Sequence, residues 1–77
     1  MKVKVYVKDY CPYCQKVMSY LEKNKISYEK VELSDKPDVY EELKKETGHH
    51  TVPQVFINDK FIGGSDDFNK YVVHNQL

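Results

Sequence analysis

The sequence predicts an α/β fold, in which three helices flank a four-stranded mixed sheet in the order β-α-β-α-β-β-α. Polar and apolar residues alternate from Lys2 to Val7, which is the period of a half-buried strand. Apolar residues at helical spacing follow, and a second strand is expected at Ile26–Leu33. This order favours a parallel, right-handed βαβ unit. A later hairpin supplies the other strands, and covering the whole sheet requires helices on both faces.

The composition indicates one small domain without a strongly charged partner. The chain has 77 residues, and we assign residues 1–77 to a single domain, because so short a chain buries only about 60–65% of its unfolded surface. Twelve basic and twelve acidic side chains cancel, which argues against nucleic acid or an anionic membrane as a partner. We find neither a signal peptide nor an apolar run as long as a membrane span. We therefore expect a cytoplasmic monomer, in which a structural disulfide would be unusual.

The first helix is expected from Pro12 to about Asn24. Proline suits the first helical turn, because its missing N–H would have no partner there. Apolar side chains at helical spacing form the stripe expected to face inward: Tyr13, Val17, Met18 and Leu21.

The second helix is marked at both ends. Residues 34–38 offer capping side chains, a proline and acids for its first turn, and Gly48 suits its C-terminal end. Its buried side is expected to consist of Val39, Tyr40 and Leu43.

A hairpin and a last helix complete the chain. Gln54–Ile57 and Phe61-Ile62 are expected to pair around a turn at Asn58–Lys60. Residues 65–67 cap the last helix and place acids at its positive end. The buried side of this helix is expected to consist of Phe68, Tyr71 and Val72.

Both cysteines lie where the first strand runs into the first helix. Cys11 falls at or just before the first helical residue, so unpaired backbone N–H groups and the positive end of the helix dipole point at its sulfur. Cys14 follows one turn further on the same face, and Lys8 adds a positive charge nearby. We predict that Cys11 is the exposed thiolate nucleophile and that Cys14, further into the helix, holds its proton more tightly.

A Cys-x-x-Cys pair beside a strand–helix pattern indicates redox or metal chemistry in a cytosolic protein. His49 and His50 together with both cysteines would supply four ligands of the kind that zinc accepts. The chain has no second Cys-x-x-Cys, however, and adjacent histidines rarely point the same way. We therefore expect no bound metal and solvent-exposed histidines.

Three motifs resemble those of the glutaredoxins, a family of the thioredoxin superfamily. They are Cys11-Pro12-Tyr13-Cys14, Thr51-Val52-Pro53 and Gly63-Gly64-Ser65-Asp66-Asp67. The resemblance covers essentially the whole chain, and Cys-Pro-Tyr-Cys is typical of the dithiol glutaredoxins. It implies a thioredoxin-like fold and a thiol–disulfide oxidoreductase that uses glutathione as reducing co-substrate to reduce protein disulfides and glutathionylated proteins.

The resemblance also implies how the two cysteines divide the work. The Cys11 thiolate would attack a substrate disulfide and form a mixed disulfide. Cys14 would then attack Cys11 to release a reduced protein, or glutathione would resolve the intermediate instead. The first route needs both cysteines, whereas removal of glutathione from proteins needs only Cys11.

The resemblance further implies where glutathione binds. The loop at Thr51-Val52-Pro53 would face Cys11 with a cis bond before the proline, and the Val52 backbone would pair with glutathione as with an added strand. The glycines and the helix start after them suit the γ-glutamyl end, because N–H groups hold its carboxylate and an aspartate holds its ammonium. The full set of expected contacts is Lys8, Tyr13, Thr51, Val52, Pro53, Gly64, Ser65, Asp66 and Asp67.

Tyr40 departs from the family pattern. Many glutaredoxins have a cationic or amide side chain at this position, where it meets the glycyl carboxylate of glutathione. The departure keeps a second interpretation open, in which a thioredoxin-reductase-type enzyme reduces the protein and a dedicated partner, such as a ribonucleotide or methionine sulfoxide reductase, receives its electrons. A third interpretation is a binding module that carries an iron–sulfur cluster or zinc through Cys11, which Pro12 disfavours.

Overall fold

The computed structural model describes residues 2–75 and contains seven elements in the predicted order. They are β1 Val3–Val7, α1 Pro12–Lys23, β2 Glu29–Glu32, α2 Pro37–Thr47, β3 Gln54–Ile57, β4 Lys60–Gly63 and α3 Ser65–Asn75. The strand order is β2-β1-β3-β4, with β1 parallel to β2 and antiparallel to β3. The predicted four-stranded mixed sheet with three helices is thus confirmed. Within the described part of the chain, no helix is long and apolar enough to cross a membrane.

One face of the sheet carries the main core. Side chains of β1 alternate between the faces, and Val3, Val5 and Val7 are all buried on the same one. They join buried residues of β3, α1 and α3 in one apolar cluster, and α1 packs on α3. The other buried members of the cluster are Cys14, Val17, Met18, Leu21, Val55, Ile57, Phe68 and Val72. Together α1 and α3 therefore cover this face.

The opposite face is covered by α2. Tyr6 and Gln54 pair directly across β1 and β3, so their side chains share the face that Val5 does not occupy. The hydroxyl of Thr47, the last residue of α2, donates a hydrogen bond of 3.0 Å to the side-chain oxygen of Gln54. Leu43, one turn earlier, is buried outside the main cluster. The helices therefore lie on both faces, as the sequence predicts.

The inward stripe of α1 differs from the predicted one. Cys14, Val17, Met18 and Leu21 are buried, whereas the side chain of Tyr13 is 58% exposed. Successive residues of a helix point about 100° apart, so Tyr13 lies beyond Val17, at one edge of the stripe that the four buried residues form. The expectation that Tyr13 faces the core is therefore wrong.

The buried side of α2 is narrower than predicted. Leu43 is buried and Thr47 bonds to the sheet, whereas Val39 in the first turn is 42% exposed. Tyr40 is half-buried, but its ring faces lysine side chains and not the apolar core. The prediction is wrong for Val39 because the C-terminal half of α2 makes the attachment to the sheet.

The second strand is shorter than predicted. Glu29 pairs with Lys4 in the parallel register, and β1 begins only one residue earlier, at Val3. Residues before Tyr28 thus extend beyond the start of β1 and have no strand beside them. For this reason β2 covers four residues, and the expected strand at Ile26–Leu33 is too long.

The hairpin turn is tighter than predicted. It consists of Asn58 and Asp59, whose φ angles are 53° and 67°. Lys60, which was expected in the turn, pairs with Ile57 and opens β4. Two-residue hairpin turns of this kind require positive φ at both central positions, which Asn and Asp tolerate better than most residues.

Candidate active site

Cys11 caps the N-terminus of α1. Its backbone is extended, with φ −106° and ψ 103°, and Pro12 occupies the first turn of the helix. The half-buried sulfur of Cys11 accepts a hydrogen bond of 3.2 Å from the backbone N–H of Cys14. The Cys11 thiol also lies 3.8 Å from the carbonyl oxygen of Val52, to which it donates. A negative charge on this sulfur would thus meet an N–H group at the positive end of the helix.

Cys14 lies in a different environment from Cys11. Its side chain is fully buried in the main core cluster. Burial, with a further contribution from the hydrogen bond to Cys11, raises the pKa of the Cys14 thiol to about 12. At neutral pH Cys14 therefore retains its proton while Cys11 faces the surface.

The loop before β3 faces Cys11. The peptide bond between Val52 and Pro53 is cis, and it places the Val52 carbonyl beside the Cys11 sulfur. The side chain of Gln54, fully buried behind the loop, donates 2.6 Å to the His49 carbonyl and 3.1 Å to the Thr51 carbonyl. One amide group thus holds the loop from behind, where water does not compete.

A cavity of about 270 Å³ opens beside this loop. Every predicted glutathione contact except Lys8 lines this cavity. These contacts come from three parts of the chain: the residues between the cysteines, the loop that contains Val52, and the start of α3. Its lining residues are Tyr13, His49, Thr51, Val52, Pro53, Gly64, Ser65, Asp66 and Asp67. The sequence motifs that lie far apart in the chain therefore meet at one site.

His49 is the lining residue that the sequence does not reveal. Its ring packs against Phe61, with 5.7 Å between centroids, and its Nε2 lies 3.1 Å from the Thr51 hydroxyl. A Cβ on Gly64 would lie 3.2 Å from the same nitrogen, so this glycine leaves room for the imidazole. His50 is exposed, as expected. The expectation is wrong for His49, which is half-buried because its ring packs against Phe61 at the edge of the cavity.

Lys8 lies outside the cavity, against Tyr40. The Lys8 ammonium is 4.2 Å from the centre of the Tyr40 ring, and the Lys44 ammonium is 4.6 Å from it. The Tyr40 hydroxyl donates a 3.0 Å hydrogen bond to the carbonyl of His50, two residues before Val52. The residue that departs from the family pattern therefore contacts both the predicted cation and the active-site loop.

Possible metal ligands are not grouped in the described part of the chain. Among residues 2–75, no three His, Cys, Asp or Glu side chains are placed to hold a metal ion together.

Replacement of Gln54 by leucine should destabilise the protein and loosen the loop. The carbonyls of His49 and Thr51 would lose their buried donor, and the Thr47 hydroxyl would lose an acceptor. An unpaired buried polar group costs about 1–3 kcal/mol, so we expect the free energy of unfolding to fall by about 2–4 kcal/mol. Urea unfolding measures this loss. The matched control Gln15→Leu, on the exposed side of α1, should change stability by less than about 0.5 kcal/mol; equal effects of the two changes would contradict a structural role for Gln54.

Known proteins share both this fold and this sequence pattern. Residues 3–62 match the family model for glutaredoxin. Glutaredoxin 3 of Escherichia coli K12 is 37% identical over 65 residues, which cover 84% of this chain and 78% of that protein. The structure of the buckwheat glutaredoxin–glutathione complex is 33% identical, with a TM-score of 0.89 over 97% of this chain and 71% of that one. The structure of reduced Escherichia coli glutaredoxin is 29% identical, with a TM-score of 0.81, and the match covers 99% and 98% of the two chains.

The fold and the arrangement of the site identify the class of protein. The sheet is thioredoxin-like, and a Cys-x-x-Cys pair at the start of α1 faces a loop with a cis-proline. This combination is typical of a thiol–disulfide oxidoreductase. The family model covers most of the chain, and the curated relatives agree with it. The chain belongs to the glutaredoxin family.

Proposed function

We propose that this protein is a dithiol glutaredoxin that uses glutathione to reduce protein disulfides and glutathionylated proteins. The main support is the position of the Cys11 sulfur, between the Cys14 N–H and the Val52 carbonyl, next to the cavity that gathers the three motifs. The buckwheat relative has been crystallised with glutathione, which favours the same ligand here.

Glutathione would enter the cavity as an extended peptide. Its cysteine would pair with the Val52 backbone, and its sulfur would reach Cys11. The γ-glutamyl carboxylate would accept from backbone N–H groups at the start of α3. Asp66 and Asp67, in the first turn of that helix, would hold the ammonium group. This cavity therefore suits a ligand end that carries both charges.

Removal of glutathione from a protein would proceed in two exchanges. The Cys11 thiolate attacks the glutathione sulfur of the mixed disulfide, forms a bond to it, and expels the protein thiolate, which takes up a proton. A second glutathione thiolate then attacks the Cys11-bound glutathione. The two glutathione molecules leave together as oxidised glutathione, and the Cys11 thiolate is regenerated. One added glutathione is consumed: its thiol is oxidised to the disulfide while the protein sulfur is reduced to a thiol, and the other half of the oxidised glutathione comes from the substrate.

Reduction of a protein disulfide would use Cys14 as well. Cys11 first forms a mixed disulfide with one half of the substrate and releases the other half as a thiolate. Cys14 then loses its proton, attacks the Cys11 sulfur and expels the second thiolate. Burial and, after it, the hydrogen bond with Cys11 raise the pKa of Cys14, and the mixed disulfide would remove the negative charge that an unbonded Cys11 sulfur can carry beside Cys14. Formation of the mixed disulfide therefore helps to activate Cys14.

A second candidate is a protein of the same fold that a thioredoxin-reductase-type enzyme reduces and that serves one dedicated reductase. The observation that favours it is Tyr40, which brings no charge to a position where many glutaredoxins have a cation or an amide.

The deciding assay is reduction of a glutathione mixed disulfide with glutathione, glutathione reductase and NADPH. We expect robust turnover, because all the expected glutathione contacts except Lys8 surround one cavity. The same protein, oxidised to the Cys11–Cys14 disulfide, is tested in parallel with thioredoxin reductase and NADPH. Turnover only in the second assay would reject glutathione as the reductant and support the second candidate.

A further inference from the structure

The turn between β1 and Cys11 holds a tyrosine in an unfavourable conformation. Tyr10 has φ +57°, in the left-handed region that ordinary side chains rarely adopt. Its side chain is 100% exposed, so burial of the ring does not offset the strain of the backbone. Asparagine or glycine would fit the same backbone with less strain. The aromatic ring therefore contributes little to folding, and its role is to be sought in a partner outside the chain.

Hydrogen bonds fix this turn next to the reactive cysteine. The backbone N–H of Asp9 donates a 2.9 Å hydrogen bond to the Ser34 hydroxyl. That hydroxyl donates a 2.8 Å hydrogen bond to a carboxylate oxygen of Glu32, the last residue of β2. The turn is thereby attached to the strand beside β1. Tyr10 thus holds a defined place directly before Cys11.

A second cavity, of about 680 Å³, lies at this turn. We call it the Tyr10 groove, and its lining residues are Asp9, Tyr10, Cys11, Pro12 and Gln15. It has no lining residue in common with the cavity proposed for glutathione, among the residues that the structure describes. Because a substrate cysteine bonds to the Cys11 sulfur during disulfide exchange, the substrate residues beside that cysteine are brought to the Tyr10 groove.

The charge of the Tyr10 groove favours a basic residue. Apart from the reactive thiol, the described part of the chain supplies its lining with one ionisable acid, the exposed carboxylate of Asp9. The ammonium group of Lys8 lies against the ring of Tyr40, at 4.2 Å from its centre. That of Lys16 lies 5.4 Å from the centre of the Tyr13 ring. An exposed carboxylate beside an exposed aromatic ring suits a cation, which can lie over the ring and pair with the acid.

We propose that the Tyr10 groove binds an arginine or lysine beside the reactive cysteine of the protein substrate, with its cation over Tyr10 and next to Asp9. The inference rests on the reduction of protein disulfides in the proposed function. The Cys11 thiolate attacks one sulfur of the substrate disulfide and expels the other as a thiolate, which takes up a proton. Cys14 then attacks Cys11 and expels the second thiolate, so one substrate disulfide is reduced as the Cys11–Cys14 pair is oxidised. The groove selects among protein disulfides, whereas the chemistry stays the same.

The test compares three symmetrical peptide disulfides. In each, two copies of a short capped peptide are joined through a cysteine that is flanked on both sides by arginine, norleucine or glutamate. Reduced protein reacts with each disulfide in single turnover, and release of the peptide thiol gives a half-saturation concentration and a limiting rate. We expect the half-saturation concentration of the wild-type protein to be about fivefold lower for the arginine peptide than for the norleucine peptide, and highest for the glutamate peptide.

The variants separate the ring from the acid. Tyr10→Asn and Asp9→Asn should each reduce the fivefold preference to about twofold or less. Tyr10→Phe retains the ring and should keep the preference, and so should the matched control Glu42→Gln, an exposed acid on α2. Arginine also changes the reactivity of the peptide's own thiol. That effect is the same for every variant and cancels when the preferences are compared.

Urea unfolding tests whether the Tyr10 ring serves the fold instead. Tyr10→Asn should be at least as stable as the wild-type protein, because asparagine tolerates positive φ. Lys25→Asn is the matched control, since Lys25 is exposed and also has φ +57°. Loss of stability in Tyr10→Asn alone would show that the ring packs against the protein and would overturn the inference.

The remaining outcomes are distinct. A wild-type protein that reduces none of the three peptide disulfides would overturn the reduction of protein disulfides in the proposed function. Equal half-saturation concentrations for all three, or an arginine preference that Tyr10→Asn and Asp9→Asn retain in full, would overturn this inference alone. A preference for norleucine that Tyr10→Asn removes would assign the groove to an apolar residue and reject the proposed cation.

Discussion

Replacement of Cys11 by serine is expected to abolish reduction of glutathione mixed disulfides. A serine hydroxyl does not ionise near neutral pH and forms no disulfide, so the exchange loses its nucleophile. The rate should fall to that of the reaction without protein. The glutathione reductase-coupled assay measures it, and appreciable turnover by Cys11→Ser would contradict the assignment of the nucleophile.

The matched change at Cys14 should separate the two activities. Cys14→Ser should retain the removal of glutathione from proteins and lose the direct reduction of protein disulfides, since only the latter needs a second thiol. Because Cys14 is fully buried among apolar side chains, a hydroxyl there would also weaken the core. Cys14→Ala removes the thiol without burying a hydroxyl and serves as the control. Equal loss of both activities in Cys14→Ala would contradict this division of labour.

Replacement of Gly63 by alanine should have the largest effect on stability. Gly63 has φ +132°, a conformation that side chains rarely adopt, and an added Cβ would lie 2.6 Å from the Cβ of Asp67. Backbone strain accounts for about 1–3 kcal/mol, and the clash at the start of α3 adds to it. We expect the free energy of unfolding to fall by about 3–5 kcal/mol, as measured by urea unfolding.

Gly48 provides the matched control for this prediction. It also has positive φ, +70°, but nothing lies within 4 Å of the position of an added Cβ. Gly48→Ala should therefore lose only about 1–2 kcal/mol, the ordinary penalty of a left-handed residue. Losses of equal size in the two variants would mean that α3 shifts to relieve the clash, and that the close approach of Gly63 to Asp67 is unimportant.

Local sequence patterns were sufficient for the order of the elements and for most ends of the helices. The expected side-chain cap of α2 is wrong, because the N-cap residue is Lys36 and its side chain makes no capping hydrogen bond. The alternation in β1, Pro12 at the start of α1 and Gly48 at the end of α2 each act through the backbone of a few neighbouring residues. Such signals do not depend on the rest of the fold. The resemblance to the family motifs also implied the cis bond before Pro53, which the structure contains and which no local propensity would have predicted.

The errors occurred where contacts between distant segments decide the outcome. Tyr13 fits an apolar helical stripe as well as Cys14 does, and only the position of the sheet selects Cys14 for burial. Val39 is exposed because α2 is attached through Thr47 and Leu43. The extent of β2 depends on where β1 begins, which the residues of β2 do not encode.

The sequence by itself determined the α/β class, the placement of Cys11 at a helix start and the residues of the three motifs, since each depends on short-range backbone preferences or on a recognisable pattern. Only the tertiary structure placed His49 under the cavity and the Tyr40 ring between two lysines. Lys8 lies 32 positions from Tyr40 and 36 from Lys44 in the chain. An attraction between such residues arises only after β1 and α2 have packed, because it depends on distances in space and not on spacing along the chain.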